Sequence, residues 1–119
     1  MSIDEPFAER QRRAAVDESL CRDENERDEE RSSDSSQSAQ YRCECLPDCA
    51  AFVSLTVREY EEVRKVSTHF VIASGHLVVG VEVIVRDTPE YQVVEKIGAG
   101  APVASRLDPR EVHEQLGAA

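Results

Sequence analysis

Three cysteines and one histidine are the residues of this chain whose types and spacing could do chemistry. The cysteines form the pattern Cys43-x-Cys45-x-x-x-Cys49, and His76 follows a Ser-Gly pair further along the chain. Thiolates and imidazoles are ligands that Zn²⁺ prefers, and four of them complete the tetrahedron of a structural site. The sequence therefore predicts zinc as a cofactor, with four ligands: Cys43, Cys45, Cys49 and His76.

The spacing of the cysteines lets their sulfurs converge on one point. In an extended segment, Cys43 and Cys45 point to one side of the chain while Glu44 points to the other. A turn over residues 46–48 can then return Cys49 to the same side. We therefore expect three ligands from one loop and the fourth from a distant part of the chain.

His76 is the favoured fourth ligand because the preceding glycine gives the backbone freedom to aim the imidazole, and because the strand before it should lie beside the cysteine segment. His69 opens a strand and is typical of an ordinary, partly buried histidine. His113 is expected to be exposed to solvent. Cys21, on a helix, is typical of a small hydrophobic residue, and recruiting it would order a serine-rich segment at an entropic cost.

Other uses of the three thiols remain open at this point. They could be free thiols that lie near one another, and an iron–sulfur cluster would need Cys21 as a fourth cysteine. Three cysteines with a water molecule would form an open, catalytic zinc site, whereas three cysteines with a histidine close it. Glu44 or Asp48 could then act as a general base, although carboxylates beside a turn usually only face solvent.

Composition limits the size of the core and the class of partner. The 119 residues include three Tyr, three Phe and no Trp, so a metal contributing about 10 kcal/mol would compensate for a small apolar interior. Residues 1–40 carry twelve acidic residues and six arginines, and residues 41–119 carry twelve acidic and eight basic residues, for a net charge of −10. Neither half is basic, which argues against nucleic acids and anionic membranes as partners.

The sequence predicts a cytoplasmic location. No apolar stretch approaches the roughly 20 residues of a membrane-spanning helix, and the acidic N-terminal segment does not resemble a signal peptide. Cytoplasmic reducing conditions keep cysteines as thiols or metal ligands, which favours a metal site over a disulfide framework.

We predict an α+β fold in three segments. Residues 1–31 form an acidic, solvated helix whose thin apolar face consists of Phe7, Val16 and Leu20. Residues 32–40 form a flexible, serine-rich linker. Residues 41–119 form a compact, zinc-stabilised domain with a small antiparallel sheet, one packed helix and the zinc-binding loop.

Local signals place the elements of this domain. A strand over residues 52–55 leads into a helix that begins at the N-cap Thr56, has a capping box with Glu59 and runs to about residue 66. Strands are predicted over residues 70–73, 81–85 and 91–97, the last two forming an antiparallel hairpin. Two further segments are a flexible loop with glycines at positions 98 and 100 and a terminal helix over residues 112–116.

Four stretches carry a resemblance to a known family: CECLPDCAAFVSLTVREYEEVRK (43–65), FVIASGH (70–76), YQVVEK (91–96) and LDPR (107–110). They resemble small, uncharacterised, mostly actinobacterial proteins in which a Cys-x-Cys-x-x-x-Cys loop is paired with a Gly-His after the next strand. The resemblance implies the same fold and the same four site residues, and it implies no activity. The segment 17–30 resembles the leading helix of that family, but Cys21, Glu24 and Asp28 replace apolar residues, which implies loss of part of a docking face.

These patterns predict a non-enzymatic protein-interaction or regulatory module with a structural zinc, whose acidic helix engages a protein partner or stays solvated. No nucleic acid, membrane or small-molecule substrate is predicted. The alternative is a thiol-based redox sensor, in which oxidation of the cysteines ejects zinc. A third hypothesis is a small zinc enzyme with an open three-cysteine site.

Overall fold

The computed structural model describes residues 5–29 and 37–110 as an α+β fold. The elements, in chain order, are α1 (Glu5–Glu29), β1 (Ser38–Arg42), β2 (Phe52–Thr56), α2 (Val57–Arg64), β3 (His69–Ile72), β4 (Glu82–Asp87), β5 (Gln92–Lys96) and α3 (Gly100–Arg106). β1 and β2 form a two-stranded ribbon, and a three-stranded sheet has the order β3-β5-β4, with antiparallel pairing throughout. Within these residues, no helix is long and apolar enough to cross a membrane.

The predicted helix that begins after Thr56 and the predicted hairpin of β4 and β5 are confirmed, with small shifts at their ends. The Thr56 hydroxyl accepts the Glu59 N–H at 3.0 Å, and the Glu59 carboxylate accepts the Thr56 N–H at 2.8 Å. This reciprocal pair of hydrogen bonds begins α2 where the capping box predicts. β4 and β5 pair antiparallel, with Glu82 opposite Lys96.

Two elements of the structure were not predicted. β1 includes residues 38–40 of the predicted linker, and its pairing with β2 places Ser38 opposite Thr56. α3 begins at Gly100, the last residue of the predicted loop, and continues to Arg106, whereas residues 98–99 form a turn. Pro102 lies in the first turn of α3, where a helix tolerates proline because the missing N–H would have no helical partner. The predicted helix over residues 112–116, including His113, lies outside the described residues.

The strands β3 and β5 are buried on both faces of their sheet. Phe70, Ile72 and Val94 face a core shared with α1, α3 and two of the cysteines. Val71 and Val93 face a second core, which the β1-β2 ribbon and α2 cover. Because successive strand residues point to opposite sides, β3 and β5 form a middle layer between the two cores, whereas β4 is largely exposed.

Helix α1 is packed against the domain, so the prediction of a solvated helix for residues 1–31 is wrong. The residues predicted as its apolar face, Phe7, Val16 and Leu20, are 48%, 42% and 56% exposed. The face opposite Val16 and Leu20 is buried and consists of small and polar residues, namely Gln11, Ala14, Ala15, Glu18, Ser19, Cys21, Arg22 and Asn25. Two of the three predicted apolar residues, Val16 and Leu20, therefore lie on the outer side of the helix, whereas the Phe7 ring lies beside Gly80.

Specific partners stabilise this buried polar face. The Gln11 side chain donates to the Gly80 carbonyl at 3.1 Å and accepts the Ala99 N–H at 3.0 Å. The guanidinium of Arg22 donates to the carbonyls of Ser67 and Ala104 at 2.7 and 2.9 Å. These contacts satisfy polar groups that would otherwise make burial unfavourable.

A close approach between α1 and α3 requires glycine at position 100. A Cβ atom on Gly100 would lie 2.7 Å from the backbone oxygen of Gln11, which is closer than Cβ atoms approach other atoms. Gly100 therefore allows the two helix backbones to pack directly against each other.

A buried ionic cluster also connects α1 to the sheet. The Lys96 ammonium pairs with the Glu18 carboxylate and, at 2.6 Å, with Glu82, and all three side chains are inaccessible to solvent. Burial raises the pKa of Glu18 to about 9, since attraction to Lys96 offsets only part of the desolvation and Glu82 adds repulsion. The folded chain therefore retains a proton that the unfolded chain releases near pH 4.5.

We predict that Glu18 makes stability fall as pH rises between about 4.5 and 9. Glutamine mimics the protonated carboxyl, so the stability of wild type relative to Glu18→Gln should decrease from pH 5 to pH 8. The expected slope is up to about 1 kcal/mol per pH unit, measured by urea unfolding. The exposed Glu90 provides the control substitution Glu90→Gln, and parallel pH curves for wild type and Glu18→Gln would contradict the prediction.

Candidate metal centre

All three clustered cysteines lie in the loop that joins β1 to β2. The Cys43 N–H donates to the Ala51 carbonyl at 3.0 Å and closes the base of this loop. The Cys49 N–H donates to the Leu46 carbonyl at 3.0 Å, which forms the predicted turn over residues 46–48. The hairpin therefore returns the third cysteine toward the first two.

The turn after β3 supplies the histidine. The cysteine segment runs beside β3, where the Glu44 N–H donates to the Val71 carbonyl at 2.8 Å. The His76 N–H donates to the Ala73 carbonyl at 3.1 Å, and Gly75 within this turn has φ +84°. Side chains disfavour that backbone conformation, so Gly75 is the residue that lets the turn aim His76 at the loop.

The four side chains converge with the spacing of a tetrahedral metal site. The His76 Nδ1 atom lies 3.6, 3.7 and 3.4 Å from the sulfurs of Cys43, Cys45 and Cys49. In a tetrahedral zinc site, Zn–S bonds of about 2.3 Å and a Zn–N bond of about 2.0 Å place nitrogen and sulfur about 3.5 Å apart. A hydrogen bond from the imidazole N–H would bring only one sulfur close to the ring, whereas a cation between the four side chains would make all three nitrogen–sulfur distances similar.

The four predicted ligands are therefore together and could hold a metal ion, with all their ligand atoms within 4.8 Å of one another. Cys43 and Cys45 are buried, whereas Cys49 and His76 are half-buried, so one side of the site faces solvent. The other candidate ligands that the structure describes lie outside this group. His69 Nε2 lies 3.4 Å from a Glu95 oxygen, and Cys21 is buried in α1.

The protein environment shifts the pKa values of the three thiols in different directions. Burial raises the pKa of Cys43 and of Cys45. Burial also acts to raise the pKa of Cys49, but hydrogen bonds from the Ala51 backbone and the neighbouring thiols, with the charge of Arg42, lower it overall. Three thiolates in one small volume need a cation to balance them, so metal binding would release protons and strengthen as pH rises.

Backbone N–H groups reach the sulfurs as well. The Ala73 N–H donates to Cys43 Sγ at 3.2 Å, and the backbone of Leu46 and of Ala51 donates to Cys45 and Cys49. Such hydrogen bonds partly neutralise thiolate charge and fix the orientation of each ligand. The backbone of the loop and of the chain after β3 thus helps to orient all three sulfurs.

The sequence predicted Glu44 only as a possible general base or a solvated carboxylate, and its buried, hydrogen-bonded position was not predicted. It points away from the sulfurs, as strand alternation predicts, but it is fully buried rather than solvated. Its carboxylate accepts hydrogen bonds from Asn25 Nδ2 and Tyr60 OH, both at 2.8 Å, and from the Val71 N–H at 3.0 Å. Glu44 lies in the loop between β1 and β2, so no strand pattern in the sequence signalled its burial. Asp48 is exposed, as predicted.

No family model, curated protein or solved structure matches the chain. The resemblance to the actinobacterial family therefore stays a prediction. The case for a metal centre rests on the geometry of the four side chains.

Gly75→Ala should weaken metal binding. A side chain at φ +84° strains the turn by about 1–2 kcal/mol, and misplacing His76 should reduce zinc affinity by about 5- to 30-fold. Competition with a coloured zinc chelator measures this affinity. The neighbouring exposed residue gives the control Ser74→Ala, and equal affinities for both variants would show that the turn does not position the histidine.

Proposed function

We propose that this chain is a small non-enzymatic protein in which a structural zinc ion stabilises an α+β domain that serves as a protein-interaction or regulatory module. The observation that carries the proposal is the convergence of three sulfurs on one ring nitrogen at 3.4–3.7 Å, with all four atoms within 4.8 Å of one another. The proposed location is the cytoplasm, where thiols stay reduced.

The donor set favours zinc over other metals. Three thiolates and an imidazole suit Zn²⁺, whereas Mg²⁺ and Ca²⁺ prefer oxygen ligands. An iron–sulfur cluster would need a fourth cysteine, and Cys21 is not part of the group. Zinc requires no further ligand from the chain.

Ligand number supports a structural ion over a catalytic one. A catalytic zinc keeps one corner of its tetrahedron for water or substrate, and here the imidazole of His76 lies at that corner. Two of the sulfurs are buried in the core shared with α1 and α3, so the ion would link the hairpin loop to β3. Coupled binding and folding of this kind contributes on the order of 10 kcal/mol.

We predict that the purified full-length chain contains one zinc ion per chain and that a chelator strongly lowers its melting temperature. Cys49→Ser removes a ligand at the half-buried side of the site and should abolish stoichiometric zinc binding. Cys21→Ala removes a buried thiol outside the group and should leave zinc content unchanged. Metal analysis and thermal unfolding measure both effects, and a zinc-free chain with a chelator-insensitive fold would refute the proposal.

A second candidate function, a thiol-based redox sensor, is favoured by the open side of the site. Cys49 is half-buried whereas Cys43 and Cys45 are buried, so an oxidant in solution would reach Cys49 first. Its sulfur would form a sulfenic acid and then a disulfide with a neighbouring thiolate, leaving too few ligands for zinc.

Mild peroxide should therefore release zinc, and a thiol reductant should restore binding, as followed with a coloured zinc indicator. Cys21→Ala provides the control, because this thiol is absent from the proposed site. If peroxide-treated protein retains as much zinc as fully reduced protein, the redox-sensor hypothesis is wrong.

A further inference from the structure

We propose that the metal centre controls the docking of the C-terminal half of helix α1, with Glu44 and Asn25 as the connecting residues. The inference rests on the proposed zinc site and adds a regulated element to it. The link consists of hydrogen bonds between α1 and residues that adjoin or separate the metal ligands.

Asn25 binds the backbone immediately before the first ligand. Its side-chain oxygen accepts the Arg42 N–H at 2.8 Å, and its Nδ2 donates to the Arg42 carbonyl at 2.9 Å. The Arg42 guanidinium in turn contacts Glu24 of α1 and the Pro47 carbonyl, which lies in the β1–β2 loop that carries the three cysteines. Helix α1 therefore binds both the backbone and the side chain of Arg42, the residue immediately before Cys43.

Glu44 extends the same connection between two ligands. It separates Cys43 from Cys45, and its carboxylate accepts a second hydrogen bond from Asn25 Nδ2 at 2.8 Å. With its two neighbours fixed toward an ion on one side of the chain, Glu44 must point to the other side. A buried carboxylate tolerates this position only with its hydrogen-bond donors in place, so the loop conformation and helix docking depend on each other.

The remaining contacts of α1 limit which part of the helix responds. Gln11 and Glu18 hold the N-terminal half of the helix through Gly80 and Lys96, neither of which belongs to the loop that carries the cysteines. In the C-terminal half, Arg22 and Glu26 are held through Ala104 and Arg64, and Asn25 is the anchor that depends directly on the cysteine segment. Residues 19–29 are therefore the part expected to loosen when the ion leaves, to an extent that Arg22 and Glu26 limit.

The second core explains why the response can stay local. It combines residues of β1, β2, α2 and the sheet face that they cover, and it includes neither a cysteine nor a residue of α1. Tyr60 of this core donates to Glu44 at 2.8 Å, but its ring also stacks on Tyr41, so α2 keeps its apolar contacts when that hydrogen bond is lost. The first core, by contrast, places Ala15 of α1 together with Cys43 and Cys45. Loss of the ion should therefore disturb the α1 side of the sheet before the α2 side.

Hydrogen–deuterium exchange of the full chain, with and without zinc, tests the inference. Stripping zinc with a chelator should raise amide exchange in residues 19–29 by at least about tenfold, because exchange reports local opening. Residues 57–64 of α2 and 92–96 of β5 should change by less than about twofold. Asn25→Ala should produce the same rise in residues 19–29 while zinc is still bound.

Reciprocity provides a second measurement. If the ion favours the docked helix, docking must strengthen ion binding by the same factor, so Asn25→Ala should weaken zinc affinity. Arg13→Ala, on the exposed side of α1, is the matched control and should change neither exchange nor affinity.

The outcomes separate this inference from the proposed function. Suppose that the chain binds zinc but that removing zinc leaves amide exchange in residues 19–29 unchanged, or raises it equally in α2 and β5. The proposal that the ion controls the docking of α1 would then be wrong, while the proposed zinc site would still hold. Unchanged zinc affinity in Asn25→Ala also overturns it. A chain that binds no zinc overturns the proposed function and this inference together.

Discussion

The convergence of three sulfur atoms on one ring nitrogen is the constraint on which the account of this protein depends. It joins a hairpin loop to the turn after β3, and the two belong to different sheets. Two of the sulfurs are buried, and burial favours their protonated, neutral form. A divalent ion would replace those protons, so the same four residues can both bind metal and hold the two sheets together.

The docking of α1 shows a different way of covering a small core. Its buried face relies on hydrogen bonds and ion pairs, together with close helix packing at Gly100. Polar contacts of this kind contribute modest net stability, but they require accurate placement of every partner. A helix held in this way is sensitive to small shifts in the surface beneath it, and the cysteine segment forms part of that surface.

The sequence predicted the grouping of three cysteines with His76, and several elements of the fold, because their signals are local. Three cysteines within seven residues, a Gly-His after a strand and the capping box at Thr56 each depend on near neighbours in the chain. The packing of α1 could not be predicted from hydrophobic periodicity because its buried face is polar and its partners are distant in the chain, 17 residues away for Asn25 and Arg42 and 45 for Arg22 and Ser67. β1 was missed because its pairing with β2, rather than its serine-rich composition, makes it a strand.

Glu44 illustrates the same limit within the site itself. Alternation correctly placed its side chain opposite the sulfurs, but its hydrogen bonds to Asn25 and Tyr60 come from two helices whose packing the sequence did not reveal. Local patterns thus predicted the ligand positions, while long-range packing determined what surrounds them.

X-ray absorption at the zinc edge of the purified full chain tests the central claim most directly, since it reports the types and distances of the atoms around the ion. The account predicts three sulfur atoms at about 2.3 Å and one nitrogen at about 2.0 Å. A shell of four sulfurs, or one dominated by oxygen, would contradict the assignment of Cys43, Cys45, Cys49 and His76 as the ligands.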